Sequence, residues 1–313
     1  MSVKVFVKRV IFVWVFIILL VTLLGRISIA QSNSGRTAAD FLTIDVGARA
    51  AAMGGAYTAL SEGAVSAYWN PAGLARIESG DIILNHFEWL QDVSLEYGAA
   101  SFRVSDRLVM SASISYLNYG NIDRYDNSGS MLSDEITAYD WAGAISAGIS
   151  LTDELSFGLT GKYVNQNLDD IKGSALAMDA GLRYEMANVT LAGFVGNFGS
   201  NMKFDEVYER LPAMGRLGVA VRPFGSSFTT SVDLVKEFDG DMALKHGLEY
   251  GFMGQYFIRS GYNYNMNDEE KSLSGFAFGL GIYLNQAIID YAYTPSDSYT
   301  KDDIHRFSLS WQF

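Results

Sequence analysis

From residue 81 to the carboxyl terminus, apolar and polar positions alternate with a period of two. The last ten residues, I-H-R-F-S-L-S-W-Q-F, show the pattern most cleanly. Phe307, Leu309, Trp311 and Phe313 fall on one face, and Arg306, Ser308, Ser310 and Gln312 fall on the other. A strand reads this way when one side meets lipid and the other a wet interior. The same alternation predicts fourteen strands, near 81–90, 94–104, 108–120, 137–151, 154–168, 174–185, 188–199, 212–223, 228–236, 242–251, 255–264, 273–284, 286–294 and 303–313. Most match the ~9–11 residues that cross a bilayer at a tilt. The predicted fold is all-β, a 14-stranded antiparallel transmembrane β-barrel with a small N-terminal plug containing short helices.

The connections support this. Short ones (105–107, 152–153, 186–187, 224–227, 252–254 and 285) alternate with mostly longer ones (121–136, 169–173, 200–211, 237–241, 265–272 and 295–302). Short turns on one rim and long loops on the other are the outer-membrane arrangement, with the long loops outside. Trp141, Ile145, Ile149 and Leu151 share a face, as do Leu176, Met178, Leu182 and Tyr184, and Phe276 through Leu284 in steps of two. These faces are expected to meet lipid. A charge facing hydrocarbon at mid-depth costs ~2–4 kcal/mol, so Glu96, Lys162, Asp179, Arg183, Asp233, Lys245, Glu249 and Arg259 are expected to face the lumen. There they either form a polar path or pair with each other. Trp89, Tyr119, Trp141, Tyr184, Tyr264 and Trp311 lie near strand ends and suit interfacial girdles. Trp311 and the terminal Phe313 are the expected signal for the barrel-insertion machinery.

The first thirty residues read as a cleaved signal peptide. Lys4, Lys8 and Arg9 precede the apolar run Val10 to Leu24, and Ser28-Ile29-Ala30 offers a cleavage site before Gln31. An uncleaved anchor would want ~18 or more apolar residues. The domains expected are thus 1–30 signal peptide, 31–79 plug and 80–313 barrel. The chain has no Cys, which removes disulfides, thiolate metal sites and Cys nucleophiles. A net charge of −12 argues against nucleic acid as a partner. His86, His246 and His305 are far apart in the chain, and no G-x-S-x-G occurs. The loop Asp126 to Glu135 lacks the spacing of a calcium loop. No enzyme activity, cofactor or metal is expected.

Residues 38–76 are dominated by small side chains, which suit a segment packed inside a narrow lumen. Ser61 is a candidate N-cap for a short helix with Glu62 in its first turn, ending by Trp69 because the residue before a proline avoids helical geometry. Asn70 would cap the next turn, begun by Pro71. Gly54 and Gly55 permit positive φ or close backbone approach.

The stretch F-L-T-I-D-V-G-A-R-A-A-A-M-G-G-A-Y-T-A-L, followed by A-Y-W-N-P-A-G-L-A, resembles the N-terminal signature of the PorV/PorQ family of outer-membrane proteins. That family sits within the FadL-like superfamily of fourteen-stranded barrels. The core Asn70-Pro71-Ala72-Gly73 is shared by both groups. The resemblance implies a protein of the cell outer membrane that serves type IX secretion or surface attachment, with exported cargo and a surface sortase as partners beside outer-membrane lipid. It implies for FadL-like members, as the alternative, passage of hydrophobic solutes through the barrel wall.

Overall fold

The computed structural model describes residues 37–89, 93–126, 128–266, 275–295 and 303–313. The expected signal peptide lies outside them. Eighteen strands occur among the described residues: β1 Gly80–Glu88, β2 Ser94–Arg103, β3 Leu108–Asn118, β4 Ile122–Tyr125, β5 Met131–Ile136, β6 Ala138–Ser150, β7 Leu155–Leu168, β8 Ile171–Met186 and β9 Val189–Gly199. The rest are β10 Met202–Phe204, β11 Val207–Glu209, β12 Met214–Val221, β13 Phe228–Glu237, β14 Met242–Phe252, β15 Tyr256–Asn265, β16 Phe276–Leu284, β17 Ala287–Thr294 and β18 Ile304–Gln312. Fourteen of them close into one antiparallel barrel, leaving out β4, β5, β10 and β11.

The barrel closes by pairing β1 with β18, from Asp81 opposite Gln312 to Glu88 opposite His305. Closure leaves no open edge, so every wall strand has its backbone groups paired on both sides. Phe313 continues the seam beyond β18, its carbonyl accepting from the Gly80 amide at 2.9 Å. The Phe313 ring lies over Gly80, where an added Cβ would sit 2.4 Å from it.

The two longest connections each hold a small hairpin, β4–β5 and β10–β11, that the sequence reading treats as loop. These strands are too short to cross a bilayer, and each pairs only within its own hairpin. The expected 169–173 connection shortens to two residues because β8 begins at Ile171, and β7 and β8 are the longest strands of the wall.

The outer face is apolar and exposed, including Leu84, Ile114, Ile145, Leu176, Met178, Leu280, Phe307 and Leu309. The inner face carries buried polar groups. Two expectations fail here. Glu96 points outward, because the alternation of β2 turns Tyr97, Ala99 and Ser101 inward. Its carboxylate lies 2.6 Å from His86 Nδ1 on the neighbouring strand, close to the rim of the barrel. Tyr119 belongs to no girdle: it packs against the internal apolar cluster and donates to Asp140 at 2.8 Å.

Candidate functional site

Residues 37–79 pack against the inner face of the barrel. They enter at the long-loop rim, where the Ala38 amide donates to Arg210 O and the Ala39 amide to Gln166 Oε1, each at 2.8 Å. They leave at the short-turn rim, where Arg103, the last residue of β2, donates through Nε to Ile77 O and Glu78 O at 2.8 Å. The segment contains 3₁₀ turns at Asp40–Thr43 and Pro71–Arg76 and α-helical turns at Ala48–Ala52 and Ser66–Trp69. None is long enough to be stable alone, so their geometry depends on packing against the wall.

Ser61 does not cap a helix. Gly63 takes φ of 73°, which a right-handed helix cannot contain, and the helical turn therefore starts at Ser66. Glu62 is instead an anion that reaches the wall, accepting from Arg183 at 2.9 Å and Arg222 at 3.1 Å. Burial pulls its carboxyl up, but those two guanidiniums outweigh burial and hold it below its ordinary value. The helical turn ends at Trp69, as the following proline requires. Asn70 Oδ1 accepts from the Ala72 amide at 3.1 Å, with Pro71 at the first position of the turn.

Asn70 also joins the segment to the wall. Its Nδ2 donates to Thr58 O at 3.3 Å and to Leu182 O, in β8, at 3.2 Å. A Cβ at Gly181 would lie 1.9 Å from Asn70 Oδ1, and one at Gly158 would lie 2.2 Å from the Pro71 carbonyl carbon. Gly73 is held as tightly from within, with Ser61 O 2.3 Å from where its Cβ would be. On the opposite side, Gly54 and Gly55 take φ of 64° and 75°. Gly54 lies against Gly261, where a Cβ would meet its nitrogen at 2.0 Å. Glycines on both partners thus let backbone meet backbone, which no pair of side-chain-bearing strands would allow.

Most of the inward charges are paired, and most of the pairs bind the segment to the wall. Arg49 holds Glu249 through two hydrogen bonds of 2.8 Å. Glu249 also accepts from Arg259 at 2.6 Å, and Arg259 donates to Asp290 at 2.7 Å. Gly281 on the intervening strand leaves the space for that last reach. Lys245 faces Asp45 at 3.2 Å. Asp233 Oδ2 accepts from the Tyr57 and Thr58 amides at 3.0 and 2.8 Å. Lys162 and Asp179 pair within the wall at 2.7 Å, beside the bulge in the β8–β9 register.

Several groups of this network, Arg216 and Asp290 among them, escape the sequence reading. Arg216 lies buried 4.7 Å from the Trp69 ring centre and 5.3 Å from that of Phe194, and Arg306, expected on the inner face, lies 4.3 Å from that of Phe87. Strand alternation carries the signal for both, and for Asp290. The charges of the segment itself, Asp45, Arg49 and Glu62, had a further signal: ions inside a lumen require partners on the wall.

The long-loop half of the lumen is filled with apolar side chains. Phe41, Leu42, Tyr68 and Trp69 pack with Phe87, Leu95, Tyr97 and Leu117 in one cluster. The rings of Tyr57 and Tyr68 meet Trp69 edge-on at 5.7 and 5.6 Å. Space remains in the short-turn half. A cavity of about 750 Å³ opens there, lined by Glu62, Arg76, Asp81, Arg183, Glu185 and Gln312 among others. A second, of about 290 Å³, shares Glu62 and Asp81 with it and extends to Arg49, Tyr57 and Asp290. The larger is lined mainly by charged and polar groups; the smaller mixes these with Ala50, Val65, Ile83 and Ile288.

The family model described as "Type IX secretion system protein PorV" matches residues 28–230, which take in the whole lumenal segment and the wall as far as β13. The chain belongs to the PorV family. No curated protein sequence matches it. Among solved structures, the CymD monoaromatic hydrocarbon channel superposes with a TM-score of 0.60 at 12% identity, covering 86% of this chain and 98% of CymD. The Pseudomonas putida toluene transporter TodX gives 0.60 at 12% identity, covering 83% and 95%. At such identity the likeness is one of fold: this PorV-family chain has the FadL-like barrel.

Proposed function

We propose that this barrel is a non-enzymatic outer-membrane component of type IX protein secretion or surface attachment. Its long-loop rim would contact exported cargo and a surface sortase, and residues 37–79 would act as a plug that keeps the lumen from conducting. The observation that carries this reading is the PorV-family match across the lumenal segment and most of the wall. The interior is consistent with it. The larger cavity is mainly polar, and both lie toward the short-turn rim, while the other half of the lumen is packed. A hydrophobic solute would need an apolar route from outside.

The hydrocarbon-channel neighbours favour a second reading, passive passage of hydrophobic solutes. One experiment separates the two. The tagged barrel is recovered from outer membranes in mild detergent and its companions are identified by mass spectrometry. A sortase, or exported proteins sharing a C-terminal domain, would support secretion. The barrel alone with bound hydrocarbon would sink that reading and favour transport.

A further inference from the structure

We propose that the lumenal segment is threaded through the barrel, with its amino-terminal end at the outer rim and Asp40 displayed on the cell surface. This rests on the barrel standing with its long loops outside, and is independent of any role in secretion. A hatch hinged at one end would have both its ends near the rim where the chain joins β1. Here the two ends lie at opposite rims.

The contacts follow the segment from one rim to the other. Thr37 forms a parallel bridge with Arg210, directly after the β10–β11 hairpin of the long-loop rim. Asp40 is exposed beside it, and its carboxylate accepts from the Thr37 hydroxyl at 2.5 Å. Farther in, Tyr68 donates to Leu42 O at 2.9 Å and Ile44 O at 2.7 Å. Asp45 and Arg49 then meet Lys245 and Glu249 on the same strand, one turn-rim step after the other. The Ala64 amide donates to Asp81 at 2.8 Å near the foot of β1. Arg76 lies 3.3 Å from Glu185, and Arg103 holds the last carbonyls before Gly80.

Anchors at both rims change what the segment can do. Withdrawal toward the short-turn rim would break the Arg210 and Gln166 bonds and drag Asp45 and Arg49 past the wall charges that hold them. Any opening must therefore be local, with the ends in place.

The absence of Cys makes the test direct. Asp40→Cys, Ser128→Cys and Met253→Cys are made singly in the full chain. Ser128 is exposed in the turn between β4 and β5, and Met253 is exposed in a short turn. Intact cells are treated with a polyethylene-glycol maleimide too large to cross the outer membrane, and the folded barrel is scored by its heat-modifiable mobility. The expected result is labelling of Asp40→Cys and Ser128→Cys in intact cells, and of Met253→Cys only once the outer membrane is opened. Asp40→Cys labelled only after opening, or never in the folded barrel, overturns the proposal. So does labelling of Met253→Cys but not Ser128→Cys in intact cells, which would mean the opposite orientation.

Discussion

Asn70 offers the sharpest test of how the segment is held. It is fully buried, and its side chain makes three hydrogen bonds: two from Nδ2 to carbonyls and one accepted by Oδ1. Losing an N-cap costs about 1 kcal/mol, and each of the two bonds from Nδ2 contributes about 0.5–1.5 kcal/mol, so Asn70→Ala should destabilise by about 2–4 kcal/mol. Asn70→Asp is the informative partner. It keeps the acceptor for Ala72 but replaces the donor with an oxygen aimed at two carbonyl oxygens, Thr58 O and Leu182 O. Gly181 lies directly behind, so the side chain has no room to retreat toward the wall. The aspartate should therefore be worse than alanine by at least ~1 kcal/mol, since a buried polar group without a partner is more costly than an apolar one.

The assay is the midpoint of heat-modifiable mobility of the purified barrel in detergent. At roughly 2–4 °C per kcal/mol for a domain of this size, alanine should lower the midpoint by on the order of 10 °C and aspartate by more. An aspartate variant that melts with or above the alanine variant would refute the assignment of Nδ2 as the group that ties the segment to β8.

Further outcomes can be read with the same gel. Gly158→Ala should cost about 1–3 kcal/mol by driving a Cβ into the Pro71 carbonyl, while Gly161→Ala on the outer face of the same strand, with nothing within 4 Å, should melt like the parent. Glu249→Gln, which breaks a buried pair to Arg49 and Arg259, should cost about 3–5 kcal/mol, and the added cost of Arg49→Met in that background should be smaller than in the parent. Because the Glu62 carboxyl sits below its ordinary 4.5, its contribution is present above pH 4.5 and fades as pH falls through the lower folded value. Glu62→Gln should flatten that acid limb, seen by comparing melting midpoints above the ordinary carboxylate value with those at progressively lower pH. Removal of Phe313, which closes the seam over Gly80, should reduce assembled barrel several-fold in a pulse-chase.

The wall was legible because its physics is local. A period of two, a spanning length and a preference for charges on one face placed all fourteen barrel strands to within a few residues, and put Lys162, Asp179, Arg183, Asp233, Lys245, Glu249 and Arg259 inside. Glu96 misled because near a rim an outward carboxylate costs little, so the rule that charges face inward loses its force there. The segment was harder. Its turns are held by partners more than a hundred residues away, such as Leu182 for Asn70 and Asp233 for Tyr57 and Thr58, and no local pattern reports them. The helix expected at Ser61 looked sound by capping rules, and Gly63 overrode it.

The wall's inner face and the segment make sense only as a matched pair. Gly158, Gly181 and Gly261 are costly in strands, where they weaken packing and add chain entropy. An added Cβ would lie 2.2 and 2.0 Å from segment backbone at Gly158 and Gly261, and 1.9 Å from the Asn70 side-chain oxygen at Gly181. Likewise Asp233 finds its donors in the Tyr57 and Thr58 amides of the segment, and Arg49 gives Glu249 a second guanidinium beside the wall's own Arg259. A lumen meant to stand open needs neither device. The wall is built around an occupant, and because β1 follows that occupant directly and pairs with β18, closing the seam encloses it. Segment and wall are thus two halves of one folding event, which makes local adjustment, rather than ejection of the segment, the economical way for this barrel to respond to a partner at its rim.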